Sequence, residues 1–73
     1  MDKLYENIKH RREELGMTQR DLAYKSGYSD HTTIAKMEKG QVDITMKRLY
    51  LIAKALQTTP VKLTGWEDDD AKP

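Results

Sequence analysis

A small all-α bundle of five short helices is the fold this sequence predicts, and three observations predict it. The four glycines, at 16, 27, 40 and 65, stand apart from one another, and each follows a stretch in which Leu, Ile, Ala or Met recur at helical spacing. A hydroxyl or carboxylate residue opens every stretch after the first: Thr18, then Ser29 or Asp30, then Thr45 and Thr59. No segment alternates polar and apolar residues with period two, the mark of a half-buried strand.

The first helix, over 2–14, is read from Leu4, Ile8 and Leu15 at near-helical spacing, with Lys9, Arg11, Glu13 and Glu14 between them. Gly16 stops it, since Gly is the usual left-handed residue just past a helix C-terminus. The second, about 18–25, starts at Thr18, whose hydroxyl caps the free backbone N–H groups while Asp21 puts a carboxylate in the first turn. It buries Leu22 and Ala23 and ends at Gly27. The third runs from a cap at Ser29 or Asp30 to about Lys39, with Ile34 and Met37 inward, and Gly40 ends it. A loop from Gln41 to Ile44 leads to Thr45, which caps a fourth helix with Leu49, Ile52, Ala53 and Leu56 as its buried stripe. Thr59-Pro60 opens a last short helix, because Pro is favoured at the first helical position. Gly65 closes it. The tail from Glu67 to Pro73 is expected to fray.

Composition bounds what such a bundle does. A chain of 73 residues buries only ~60% of the surface it exposes when unfolded, so its core is thin. It has no cysteine, hence no disulfide and no thiolate metal site, and His10 and His31 are too far apart for a persuasive metal site. No apolar run approaches the ~20 residues of a membrane span. Met1 is followed by charged Asp2 and Lys3 rather than an apolar signal segment, so a soluble, cytoplasmic bacterial protein is expected. Ser26, Ser29 and His31 lie close in sequence but bring no triad geometry, and the isolated glycines form no phosphate-cradling loop. The chain is not expected to be an enzyme or to use a cofactor. The net charge of +1 hides an asymmetry: without residues 66–73, which hold four acids and one lysine, the body keeps 12 Lys/Arg against 8 Asp/Glu. A basic body with an acidic tail suits a module that binds a polyanion.

The informative stretch is Thr18 to Gly40. Two short helices are joined by a turn containing Gly27, and Ala23, four residues earlier, is small enough for the two to cross closely at a steep angle. That is the sequence form of a helix-turn-helix, in which the second helix enters the DNA major groove.

The chain resembles the Cro/repressor (Xre-type) helix-turn-helix family. The resemblance is carried by Ile8-Lys9-His10-Arg11-Arg12-Glu13-Glu14-Leu15-Gly16-Met17-Thr18-Gln19, by Asp21-Leu22-Ala23 and by Gly27-Tyr28-Ser29. It continues through Thr32-Thr33-Ile34-Ala35-Lys36-Met37-Glu38-Lys39-Gly40 and Ile52-Ala53-Lys54-Ala55-Leu56. It covers roughly residues 4–66 and looks most like the N-terminal DNA-binding domains of phage-type repressors from Gram-positive bacteria. The resemblance implies a lambda-repressor-like bundle over 1–66 followed by an acidic tail at 67–73. It implies a sequence-specific double-stranded DNA-binding repressor, from a phage or other mobile element, that occupies an operator and excludes polymerase. Repressors of that type often continue into a second domain, so a C-terminal domain beyond these 73 residues is expected.

What the resemblance implies for single residues is tied to their chemistry. With Ile34 and Met37 inward, His31, Thr32, Ala35 and Lys36 face outward, where base contacts are expected. Lys36 can donate to guanine O6 and N7, the Thr32 hydroxyl can donate or accept, and His31 can donate to a base or phosphate. Phosphate contacts are expected from Thr18 and Gln19 at the start of the second helix, from Tyr28 in the turn, and from Lys39, Gln41 and Lys47. Arg12 and Glu38 are expected to form a structural ion pair tying the first helix to the end of the third. Trp66 is expected to pack on the lower edge of the core. Two departures from the family pattern stand out. From Gly27 to Ile34 is seven residues where six is usual, most simply through one added residue, Ser29, which makes Asp30 the cap and His31 the first helical residue. Gln57 stands where glycine is common.

One helix in one groove reads few base pairs, so such modules pair over two half-sites. Leu51, Pro60 and Val61, apolar residues the core does not need, are the expected surface of a weak homodimer formed on DNA. The rival reading is an antitoxin-like module whose first task is to sequester a partner protein.

Overall fold

The computed structural model describes residues 2–65; Met1, Trp66 and the acidic stretch 67–73 lie outside it. Five helices follow one another: α1 (Asp2–Glu14), α2 (Gln19–Lys25), α3 (His31–Glu38), α4 (Met46–Ala55) and α5 (Pro60–Thr64). Among the described residues there is no strand. No helix is long and apolar enough to cross a membrane. Each helix ends where the punctuation placed it, within a residue or two.

The starts are capped by the expected side chains. Thr18 and Asp21 form a reciprocal box: the Thr18 hydroxyl accepts from the Asp21 N–H at 3.0 Å, and the Asp21 carboxylate accepts from the Thr18 N–H at 2.9 Å. Asp30 accepts from the Thr32 N–H at 2.9 Å, so the cap of α3 is Asp30 rather than Ser29. Thr45 and Thr59 cap α4 and α5 through the N–H groups of Arg48 and Lys62, each at 3.2 Å.

The ends of α1 to α4 share one geometry. At the end of α2 the Tyr28 N–H reaches the Ala23 carbonyl at 2.9 Å and the Gly27 N–H reaches that of Tyr24 at 3.3 Å; α3 ends likewise at Gly40-Gln41. This motif needs a left-handed residue. α4 supplies it with Gln57, at φ 57, where a residue bearing a Cβ is strained.

All five helices contribute to one core: Leu4 and Ile8, Leu22 and Ala23, Ile34 and Met37, Leu49, Ile52, Ala53 and Leu56, and Leu63. Leu15, the last of the apolar series read on α1, stands just past the helix and is only half-buried. Polar side chains of α1 close the bundle from one side. Asn7 Nδ2 donates to the Leu63 carbonyl at 2.7 Å and Arg11 Nε to the Leu56 carbonyl at 2.9 Å, satisfying groups at the ends of α5 and α4. The packing leaves α2 and α3 crossed against each other, with α1 and α4 behind them.

Candidate nucleic-acid interface

The outer face of α3 is decided by its inner one. Ile34 and Met37 are fully buried. That turns His31, Thr32 and Lys36 out to solvent, with Ala35 half-buried between them. Thr32, Ala35 and Lys36, at i, i+3 and i+4, form one ridge. The ridge offers a hydroxyl, a methyl and an ammonium, with the His31 imidazole at its N-terminal end. The His31 Nδ1 lies 3.5 Å from Asp30 Oδ1, an ion pair when the imidazole is protonated. Asp30 itself is held below the ordinary carboxylate range, first by the hydrogen bond from the Thr32 backbone and to smaller degrees by nearby His31 and Arg20.

A shallow cleft of about 320 Å³ runs between the N-terminus of α2 and the first residue of α3, lined by Thr18, Gln19, Arg20 and His31. It brings together three residues singled out in the sequence and adds Arg20. A second cleft, along the outer face of α2, shares Arg20 and His31 and adds Tyr24, Tyr28, Ser29 and Asp30. Arg20 thus stands between both openings, and Tyr24, 85% exposed, projects beside it. Nothing in the local sequence singles out Arg20; its place beside His31 depends on how α2 and α3 cross.

Arg12 and Glu38 meet in a two-pronged ion pair. Nε is 2.7 Å from Oε2 and Nη2 is 3.1 Å from Oε1, with side chains only 11% and 4% exposed. The Arg12 Nη1 also donates to the Met17 carbonyl at 2.7 Å. The hydrogen bond it donates to Glu38 holds the guanidinium above even its usual pKa. Gln19 joins the pair: its Nε2 donates to Glu38 Oε1 at 3.1 Å. One of the two amide protons of Gln19 is thereby occupied, and the other remains as a donor.

The turn between α2 and α3 is held from α4. Arg48 Nη1 donates to the Ser26 carbonyl at 3.2 Å and, more weakly, to that of Gly27 at 3.5 Å. Its guanidinium lies 4.6 Å from the centre of the Tyr28 ring. Tyr28 is half-buried, and burial pushes its hydroxyl pKa up against the opposing charge of Arg48. Gly27 sits at φ 81, and a Cβ there would meet Arg48 Nη1 at 3.4 Å. Ser26 is buried, and its hydroxyl has no hydrogen-bond partner among the described residues.

Lys39, Gln41 and Lys47 are exposed, the first two flanking Gly40 beyond α3 and the third in the first turn of α4. The apolar residues expected to pair two chains are less uniform. Val61 is exposed, while Leu51 and Pro60 are half-buried. Pro60 lines a groove with Tyr50, Ala53, Lys54, Thr58 and Thr59, to which Leu51 does not belong. Met46 and Tyr50, one turn apart on α4, are the exposed apolar pair that the stripe of Leu49, Ile52, Ala53 and Leu56 leaves over. Among the described residues no cluster of His, Cys, Asp and Glu is placed to hold a metal ion.

The helix-turn-helix family profile matches residues 8–63, from the middle of α1 into α5. The chain belongs to the Cro/repressor (Xre-type) helix-turn-helix family. Among its relatives within this helix-turn-helix family is the transcriptional regulator DicA of Escherichia coli K12, 35% identical over 68 residues. The match covers 93% of this chain and 49% of DicA, so the chain spans about half the length of that relative. Two restriction-modification controller proteins share the fold. C.AhdI of Aeromonas hydrophila superposes with a TM-score of 0.79 at 28% identity, over 84% of this chain and 91% of that one. C.Esp1396I, solved as a tetramer in complex with its natural 35 base-pair operator, superposes with a TM-score of 0.78 at 39% identity, over 94% and 90%.

Proposed function

We propose that this protein is a sequence-specific double-stranded DNA-binding transcriptional regulator, a repressor of a phage or similar mobile element working in the bacterial cytoplasm. The observation that carries the reading is the cleft in which Thr18, Gln19 and Arg20 of one short helix stand beside His31, the first residue of the next. Phosphate-binding groups and a base-reading ridge then share one surface. α3 lies in the major groove, with His31, Thr32, Ala35 and Lys36 toward base edges. Thr18, Gln19, Tyr28, Lys39, Gln41 and Lys47 meet phosphates, and Arg20 joins them. Occupying the operator excludes polymerase. The family, the likeness to DicA and the operator complex of C.Esp1396I support this reading.

Two chains pair weakly, on DNA, through Leu51, Pro60 and Val61, with Tyr50 sharing a groove with Pro60, so that two copies of α3 address half-sites about one helical turn, ~34 Å, apart. Selection of bound duplexes from a random pool tests the reading, followed by titration of the selected site over a range of salt. A palindromic consensus is expected, with affinity falling steeply in salt. Each lysine that meets a phosphate adds roughly 0.9 to the slope, so Lys47→Ala flattens it while weakening all sequences equally. A pool that enriches no sequence, or binding indifferent to salt, refutes the reading.

A further inference from the structure

The recognition helix is held at both ends by an arginine from another element, and the two holds differ in kind. At its C-terminal end Glu38 is fixed by Arg12 in a buried, two-pronged ion pair. At its N-terminal end no ion pair from outside the turn is made among the described residues, and Arg20 of α2 acts on the Asp30 cap only as a nearby charge. Arg48 of α4 instead holds the preceding segment by the carbonyls of Ser26 and Gly27 and by the face of the Tyr28 ring.

That segment is where the chain carries its added residue. The caps at Gly27 and Asp30 fix where α2 stops and α3 starts, but not the angle between them. Each residue in the turn adds two soft dihedrals; the Tyr28 N–H is tied back to the Ala23 carbonyl, and Ser29 is left between the caps. Arg48 lies over this segment, close enough that a Cβ at Gly27 would stand in contact with Nη1, 3.4 Å away.

We propose that Arg48 is a positioning residue for base reading: by clamping Ser26, Gly27 and Tyr28 it sets the angle at which His31 and Thr32 enter the groove. The inference rests on the DNA-binding reading above. Its geometry is that of a lever pivoted at Glu38. At 1.5 Å per residue, His31 lies about 10 Å from the pivot and Lys36 about 3 Å. A tilt of about ten degrees moves His31 by about 2 Å, enough to break a hydrogen bond, and Lys36 by about 0.5 Å, which such a bond tolerates. Loosening the clamp therefore blurs reading at one end of α3 and spares the other.

The test uses the full chain and a set of operator duplexes, each changed at one base pair, with binding followed by fluorescence anisotropy at several salt concentrations. His31→Ala, Thr32→Ala and Lys36→Ala first assign which base pair each residue reads. Arg48→Met keeps the apolar stem and removes the donors and the charge. It is expected to lose about tenfold in discrimination at the His31 and Thr32 base pairs and to keep it at the Lys36 base pair, with the salt slope unchanged. Tyr28→Leu, which removes the ring and leaves the carbonyl contacts, gives the same loss of discrimination more weakly, on top of a uniform weakening from its own phosphate contact, and serves if Arg48→Met does not fold. Uniform weakening with a slope smaller by roughly 0.9 makes Arg48 a phosphate contact and overturns the proposal. So does equal loss at all three base pairs, or no loss at any. A parent protein that distinguishes no base pair refutes the DNA-binding reading itself, a result separate from any of these.

Discussion

Replacing Arg12 by Met should cost this domain between about a quarter and all of its stability. The side chain makes three hydrogen bonds, two to Glu38 and one to the Met17 carbonyl. Methionine fills much the same space and makes none of them. What remains is the Glu38 carboxylate, 4% exposed, with the Gln19 amide as its side-chain donor. Breaking a buried pair by removing one partner costs about 3–5 kcal/mol, because the other charge stays buried without compensation. A domain of this length has roughly 4–11 kcal/mol to lose. Urea and thermal unfolding followed by far-UV circular dichroism measure the effect, and the melting temperature should fall by at least about 12 °C at roughly 4 °C per kcal/mol. The double variant Arg12→Met/Glu38→Leu removes the stranded charge and should recover most of the loss. A single-variant cost below about 1 kcal/mol refutes the reasoning. So does a double variant as unstable as the sum of its singles.

Four further outcomes are expected. Gln57→Gly relieves the strained φ of 57 and raises stability by about 0.5–1 kcal/mol after the added freedom of the unfolded glycine, seen as a higher melting temperature. Ser26→Ala removes a buried hydroxyl without a partner and leaves stability equal or higher, where most buried changes lower it. Asp21 and Asp30 are held below the ordinary carboxylate range by the Thr18 and Thr32 amides, so their stabilisation is present above the unfolded value of about 3.9 and is lost as pH falls below it. Asp30→Asn, an equally good cap without the charge, should therefore melt like the parent at neutral pH and lose less on acidification; an equal loss assigns the acid sensitivity elsewhere. Val61→Asp should abolish cooperative binding to a palindromic operator while leaving affinity for a single half-site unchanged, and retained cooperativity moves the pairing surface away from α5.

Most of this fold is written in local signals. Thr18 with Asp21, Asp30 and Thr45 act on backbone groups within three residues, and Gly27 and Gly40 on the turn they sit in. These can be read without knowing what packs on what. The outward face of α3 follows too, once Ile34 and Met37 are given to the core. What escapes local reading is what spans the chain. Arg48 meets Ser26 from 22 residues away, Asn7 meets Leu63 across 56, and Gln19 meets Glu38 across 19. Each is a polar residue on a helix that would read equally well as solvated surface. The pairing of Arg12 with Glu38 was legible through family resemblance, since two charges 26 residues apart carry no pairing information alone. Leu51 was singled out because it lies off the buried stripe. The same argument applied to the other flank of α4 points to Met46 and Tyr50, and only the fold shows that Tyr50 shares a groove with Pro60.

The terminal punctuation of α3 has a consequence for how such a protein changes over generations. The helix begins with its own carboxylate stop at Asp30 and finishes with its own glycine hook at Gly40, and it spends only Ile34 and Met37 on the common interior. Of the remaining positions, His31, Thr32 and Lys36 are exposed, while Thr33 and Ala35 are half-buried and Glu38 is tied to Arg12 and Gln19. On the DNA-binding reading proposed above, the helix's outer letters can be rewritten one at a time, each rewriting altering which DNA is preferred while the scaffold neither gains nor loses much. Divergence in target choice is then a matter of a few exposed codons, and a lineage can move to a new operator without passing through an unfolded intermediate.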